Sequence, residues 1–181
     1  MIAQMKWVER SFRSDLPIGL FPGVVERLRG TPARLDEIIR QLPPEFLTAK
    51  VGGGWSIQEN IGHLLDLAEL DEARLRDYLA RTVTLTASDM QNRMTDMANH
   101  NGRRVRDILN EFRQSRIEFV HKLENLTEEE ISRSALHPRL QQNMRVVDWC
   151  CFIAEHDDHH VARISALARV LRDTSEPSAG L

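Results

Sequence analysis

The stretch AEHDDHHVARI, Ala154 to Ile164, carries an unbroken run of ionisable side chains, Glu155 to His160, between apolar residues on both sides. On a helix advancing about 100° per residue, with His156 as zero, His160 falls about 40° away, and Trp149, Ile153, Ile164 and Leu167 fall between about 20° and 80°. Glu155, His159 and Asp158 land at about −100°, −60° and −160°, toward solvent or the rim, and Asp157 is intermediate near about 100°. His156 and His160 therefore share an apolar sector. Two imidazoles one turn apart on an inward face can turn their ring nitrogens onto one ion. A single core-facing histidine reads more simply as a hydrogen-bonded core residue, but this pair has no obvious internal partner. The sequence is HDDHH rather than HExxH, so the glutamate base of the zincin helix is missing.

A site in a bundle core needs further ligands from a facing helix. NIGHLLDLAE offers His63, at the edge of an apolar face marked by Ile57, Ile61, Leu64, Ala68 and Leu75. Asn60, Leu67 and Arg74 share its flank, so periodicity admits His63 as a ligand or as a boundary residue.

The elements that must position these residues are helical, and no strand with period-two alternation stands out. Four long helices are expected. The first runs from Pro22 to Leu42, with Gly30-Thr31-Pro32 kinking or restarting it. The second, Ser56 to Leu79, opens on a Ser56/Glu59 capping box. The third covers Asn101 to Leu123 and the fourth Arg145 to Leu171, followed by a frayed tail, RDTSEPSAGL. In the connections, Met90, Met94 and Met97 at i, i+4 and i+7 suggest a short helix packing on the core. A second capping box, Thr127/Glu130, precedes an irregular stretch around His137-Pro138. The expected fold is all-α: a four-helix bundle with a short extra helix, in one domain over 1–181 with its core at about 16–171.

The chain has 181 residues, 41% apolar and 28% charged, and a net charge of −3, values ordinary for a soluble protein. There is no basic stripe for nucleic acid, the densest cluster being the short GRRVRD at Gly102–Asp107. Cys150 and Cys151, adjacent on a helix, diverge too far to pair and read as reduced thiols of a cytoplasmic protein. No apolar run is long enough to span a membrane, and MIAQMKWVERSF is too polar for a signal peptide.

GGGWSIQENIGHLLDLAELDEAR, followed later by EHDDHHVARI, resembles the DinB-like superfamily of four-helix bundles, in the branch of metal-dependent hydrolase-like proteins and bacillithiol transferases. The ordered set W-S-x(6)-H … H-x(3)-H carries the likeness, joined by PIG at Pro17–Gly19, GGWS at Gly53–Ser56 and the His137-Pro138 pair. The resemblance implies that His63, His156 and His160 hold a divalent metal, and that the chain forms a homodimer. That branch tends to carry two adjacent histidines at the first position, whereas Gly62 precedes His63 here, so no particular thiol partner is implied.

Three neutral imidazoles leave a coordination position free, the pattern of catalytic zinc sites. An ion so held can lower the pKa of water to about 7 or hold a thiol as thiolate. Zinc and nickel suit all-nitrogen ligation best, and iron, manganese and cobalt are compatible. Asp157 and Asp66 are candidates to hold the outer ring nitrogens, with Asp66 read first as a surface carboxylate. Glu59 reads as the helix cap, and its place one turn before His63 also permits it to hold that ligand's ring. Two functions follow as expectations. One is a metal-dependent enzyme acting on a small molecule, either a transferase using a cellular thiol or a hydrolase. The other is a stress-response protein that holds metal without turnover.

Overall fold

In the computed structural model, which describes residues 2–175, the long helices form a four-helix bundle. They are α1 (Phe21–Arg40), the consecutive α3 (Ile57–Asp66) and α4 (Ala68–Leu79), α6 (Val105–Glu124) and α8 (Val146–Ser175). Shorter pieces fill the connections: α2 (Pro44–Thr48), α5 (Arg93–Met97), α7 (Glu128–Ile131) and the strands β1 (Ser134–His137) and β2 (Gln142–Arg145). α1 packs on α8 and α6, and α3 on α6 and α8. Arg172–Ser175 continue the last helix, and the rest of the expected frayed tail, 176–181, lies outside the described residues.

Both capping boxes form. Ser56 Oγ accepts the N–H of Glu59 (3.1 Å) while Glu59 Oε2 accepts that of Ser56 (2.8 Å), and Thr127 and Glu130 do the same. Gly52 and Gly53 adopt positive φ (61° and 73°), the backbone that lets VGGGW turn into this cap. The second helix divides at Leu67, yet Leu67 still donates to His63 O (3.2 Å) and accepts from Asp71 N–H (2.9 Å), so the halves remain hydrogen-bonded end to end.

Three local expectations are corrected. α1 runs through Pro32 without restarting, and Thr31 sends its hydroxyl to Arg27 O (3.3 Å) rather than capping a new helix. The segment around His137-Pro138 is an antiparallel hairpin pairing Ser134 with Arg145 through His137 with Gln142. Its four-residue strands are too short to display alternation; non-local bonds hold them, including Leu136 N–H to Val83 O (2.9 Å) and Leu85 N–H to Leu136 O (3.0 Å). Met90, Met94 and Met97 do not pack on the core: each is more than half exposed. The Asp89 carboxylate takes the N–H groups of Gln91 and Arg93 and Asn92 has φ 52°, so Met90 sits in a turn and not on the helix its spacing implied. The buried residue of α5 is Thr95.

Two apolar clusters occupy the bundle. One contains Leu28, Leu75, Tyr78, Phe119, Trp149 and Ile153, the other Leu35, Leu64, Phe112, Ile164 and Leu167. Between the two clusters each long stretch of the bundle places a buried polar residue: Thr31 on α1, Asp71 on α4, Arg116 on α6 and Asp157 on α8. A polar layer thus crosses the middle of the bundle, at the level of the histidines.

Candidate metal centre and its cavity

His156 and His160 stand one turn apart on α8, and His63 faces them from α3. Ring centroids lie 4.6 Å apart for His156–His160, 4.8 Å for His63–His160 and 5.4 Å for His63–His156. One ring nitrogen from each falls within 4.8 Å of the others, a separation one ion can span. The flank that left His63 ambiguous in the sequence is the wall of this site: Asn60 bonds His160, and Leu67 and Arg74 line the adjoining cavity.

Asn60 Nδ2 donates to Ser56 O (2.7 Å), which leaves its Oδ1 to accept from His160 Nδ1–H (2.9 Å). That bond fixes the tautomer and leaves the Nε2 lone pair of His160 free for a ligand. His63 Nδ1 meets Thr95 Oγ1 at 3.0 Å, and Trp55 stands over the His63 ring at 4.8 Å, its own N–H held by Asp96 (3.0 Å). Burial foremost lowers the pKa of His63 to about 4 and holds His156 and His160 well below 6.5, so all three are neutral at pH 7. Neutral imidazoles, with outer nitrogens of His63 and His160 held by Thr95 and Asn60, fit a divalent cation.

The carboxylates expected to hold those outer nitrogens are engaged elsewhere. Asp157, buried, accepts from Thr31 Oγ1 (2.7 Å) and pairs with Arg116 (3.2 Å). Glu59 serves the Ser56 cap and pairs with Lys50 (3.0 Å). Asp66 is bonded to His100 Nε2 (2.9 Å), and that ring occupies the space Gly62 leaves: a Cβ at Gly62 would lie 2.3 Å from it. The outward residues of the last helix are tied down as rim groups, with Glu155 paired to Arg10 and Arg27, Asp158 to Arg27 and Arg34, and His159 bonded to Gln4.

The three histidines open onto a cavity of about 260 Å³. Leu64, Leu67, Leu70, Phe152 and Ile153 supply apolar wall, and the exposed Val8 and Met90 mark its mouth. Asp71 also lines it. Burial, against the pull of Arg116, pushes its carboxyl up to about 7, where a group can take or release a proton near neutral pH. The signal for Asp71 in the sequence is its place on one helical stripe with Leu64, Ala68, Leu75 and Tyr78. Arg116 shows the same signal, set between Phe112 and Phe119 on the stripe of α6.

The raised pKa of Asp71 gives a signed prediction. The folded state keeps a proton that the unfolded chain releases near pH 4, so this group's contribution to stability is full below about pH 4 and lost as pH rises through about 7. The wild type should therefore lose stability relative to Asp71→Asn between pH 4 and 7.5 in urea titrations. A pH-independent difference would show that Asp71 ionises normally.

The sequence profile of the DinB superfamily matches residues 27–164. No curated protein matches the chain. Among solved structures, a similar one is YfiT from Bacillus subtilis, described as a probable metal-dependent hydrolase with an unusual four-helix bundle topology. It is 19% identical, with a TM-score of 0.80 over 91% of this chain and 94% of that one. The four-helix bundle expected from the sequence is thus the fold observed. Among the described residues no helix is long and apolar enough to cross a membrane.

Proposed function

Because the chain belongs to the DinB superfamily, we propose that it is a metal-dependent enzyme acting on a small molecule, with His63, His156 and His160 holding one divalent ion. Zinc or nickel is the first choice, and iron, manganese or cobalt suits the same donors. The reaction we assign is transfer of a low-molecular-weight thiol to an electrophile, or hydrolysis. One observation carries the reading: three neutral imidazoles converge at the wall of a cavity, part apolar and part polar, that reaches the surface. A protein that only held metal would need no such cavity beside its ligands. The description of YfiT as a probable metal-dependent hydrolase agrees in kind.

A three-histidine ion supplies Lewis acidity and a free position for substrate. The chain's own residues do the rest. Asn60 and Thr95 orient the imidazoles, and Trp55 covers the His63 ring from solvent. Leu64, Leu67 and Phe152 exclude water from the substrate's apolar part. Asp71, with a pKa of about 7, holds or gives up a proton at its carboxylate within the same cavity.

The test is turnover. Zinc- or nickel-loaded protein is incubated with several cellular thiols and an electrophilic probe, and separately with simple esters and amides. A rate above background that vanishes with a chelator, and in His156→Ala, is the expected result. No turnover with any pair, in protein that retains its metal, would favour the non-catalytic metal-holding reading.

A further inference from the structure

The cavity beside the histidines is also lined by a group of four cationic or imidazole side chains, Arg74, Arg116, His137 and Arg139. Arg74 and Arg116 are at least nine-tenths buried, as is His137. Arg74 gives Nε–H to Thr86 O (2.9 Å), and Arg116 gives Nη2 to Asp157 (3.3 Å). Yet Arg74 Nη2 and Arg116 Nη1 have no acceptor among the described residues. Arg139 lies with its guanidinium over the rings of Trp7 (5.7 Å) and Phe152 (5.5 Å), and its buried Nη2 is likewise without a partner.

His137 completes the set. Its Nδ1 accepts the N–H of Leu140 (3.3 Å), and burial holds the ring near pKa 4, so the neutral imidazole carries its proton on Nε2. That atom too has no acceptor. Four unpartnered N–H-bearing atoms from α4, α6 and the hairpin therefore line one cavity. Buried donors are almost always satisfied, and leaving a charged one unmade is among the costlier defects a fold can carry.

The cavity's carboxylates do not answer them. Asp157 is shared between Thr31 and one arm of Arg116, and Asp89 is turned to the backbone of Gln91 and Arg93. The Asp71 carboxylate makes no hydrogen bond among the described residues, and burial opposes its charge. Burial likewise opposes the charges of Arg74 and Arg139, an opposition that a bound anion would relieve.

We propose that Arg74, Arg116, His137 and Arg139 form an oxyanion subsite, and that the substrate carries a carboxylate or phosphate held there while its reacting end lies at the three histidines. Arginine forks match both oxyanions in geometry, and the apolar wall between suits a short carbon skeleton. The subsite rests on reading this cavity as the substrate site.

Inorganic phosphate and succinate, titrated calorimetrically at low salt into zinc-loaded and chelator-treated protein, test it. At least one probe should bind both forms, and which of the two binds assigns the group. Arg139→Gln, half-buried and held by ring stacking, should weaken that binding at least about tenfold while zinc content stays unchanged. Arg74→Gln, checked for folding by circular dichroism, should do the same. No binding of either probe up to millimolar concentration overturns the proposal, as does wild-type affinity in both variants. Failure of the metal reading is separable: protein that retains no zinc but still binds the anion loses the metal site and keeps the subsite.

Discussion

Replacing His160 with alanine is expected to lower the affinity for a divalent ion by more than about a hundredfold, because losing only a group that orients a ligand costs about 10–100-fold. His160 supplies a lone pair whose direction is set by Asn60. Asn60→Ala should therefore fall between the wild type and His160→Ala: the ligand remains, but its tautomer and rotation are freed. His159→Ala should retain metal, since that ring is bonded to Gln4 at the rim. Metal content after dialysis, with competition against a coloured chelator, measures all three. A second readout is thermal. Zinc at about a thousand times its Kd adds about 4 kcal/mol to a protein that binds it only when folded, and His160→Ala should gain little of this. Equal metal content in wild type and His160→Ala would remove the site.

Arg116→Met is expected to destabilise the fold by about 3–5 kcal/mol, because breaking a buried pair from one side leaves the other charge uncompensated. Arg116 and Asp157 are about as buried as the apolar residues around them, and they meet at 3.2 Å in the middle of the bundle. Burial pushes the Asp157 carboxyl up in spite of Arg116, a sign that desolvation outweighs the attraction. For the same reason the double variant Arg116→Met/Asp157→Leu should recover most of the loss, since a packed apolar pair avoids both desolvation penalties. Urea midpoints of the wild type, the two single variants and the double variant close the cycle. A loss below about 1 kcal/mol in Arg116→Met would mean that water reaches the pair and screens it.

The polar layer explains why the site was only partly legible in the sequence. His156 and His160 could be placed inward because their helix is long and its apolar sector is marked on both sides. His63 could not, because it lies at the boundary of an otherwise ordinary stripe, and only the resemblance singled it out. The companions of the histidines were only partly legible: Glu59 caps its helix as read, while the carboxylates expected at the ring nitrogens turn elsewhere. Asp157 and Glu59 are near the ligands in sequence, but a helix turns such neighbours toward other partners, here Arg116 with Thr31 and the Ser56 cap. The groups that hold the rings are Asn60, one turn before His63, and Thr95, on a short helix whose methionines misled the reading of its buried side.

Helix positions, both capping boxes and the inward pair of histidines followed from the sequence by itself, because they depend on local periodicity and on hydrogen bonds spanning three or four residues. The hairpin, the exposure of the methionines, the filling of the Gly62 gap by His100, and the gathering of Asp71, Arg74, Arg116, His137 and Arg139 around one cavity were decided only by tertiary structure. Each of these depends on which distant segment faces a given side chain. A buried charge acquires its partner, and so its pKa and its role, from that packing and not from its neighbours in the chain.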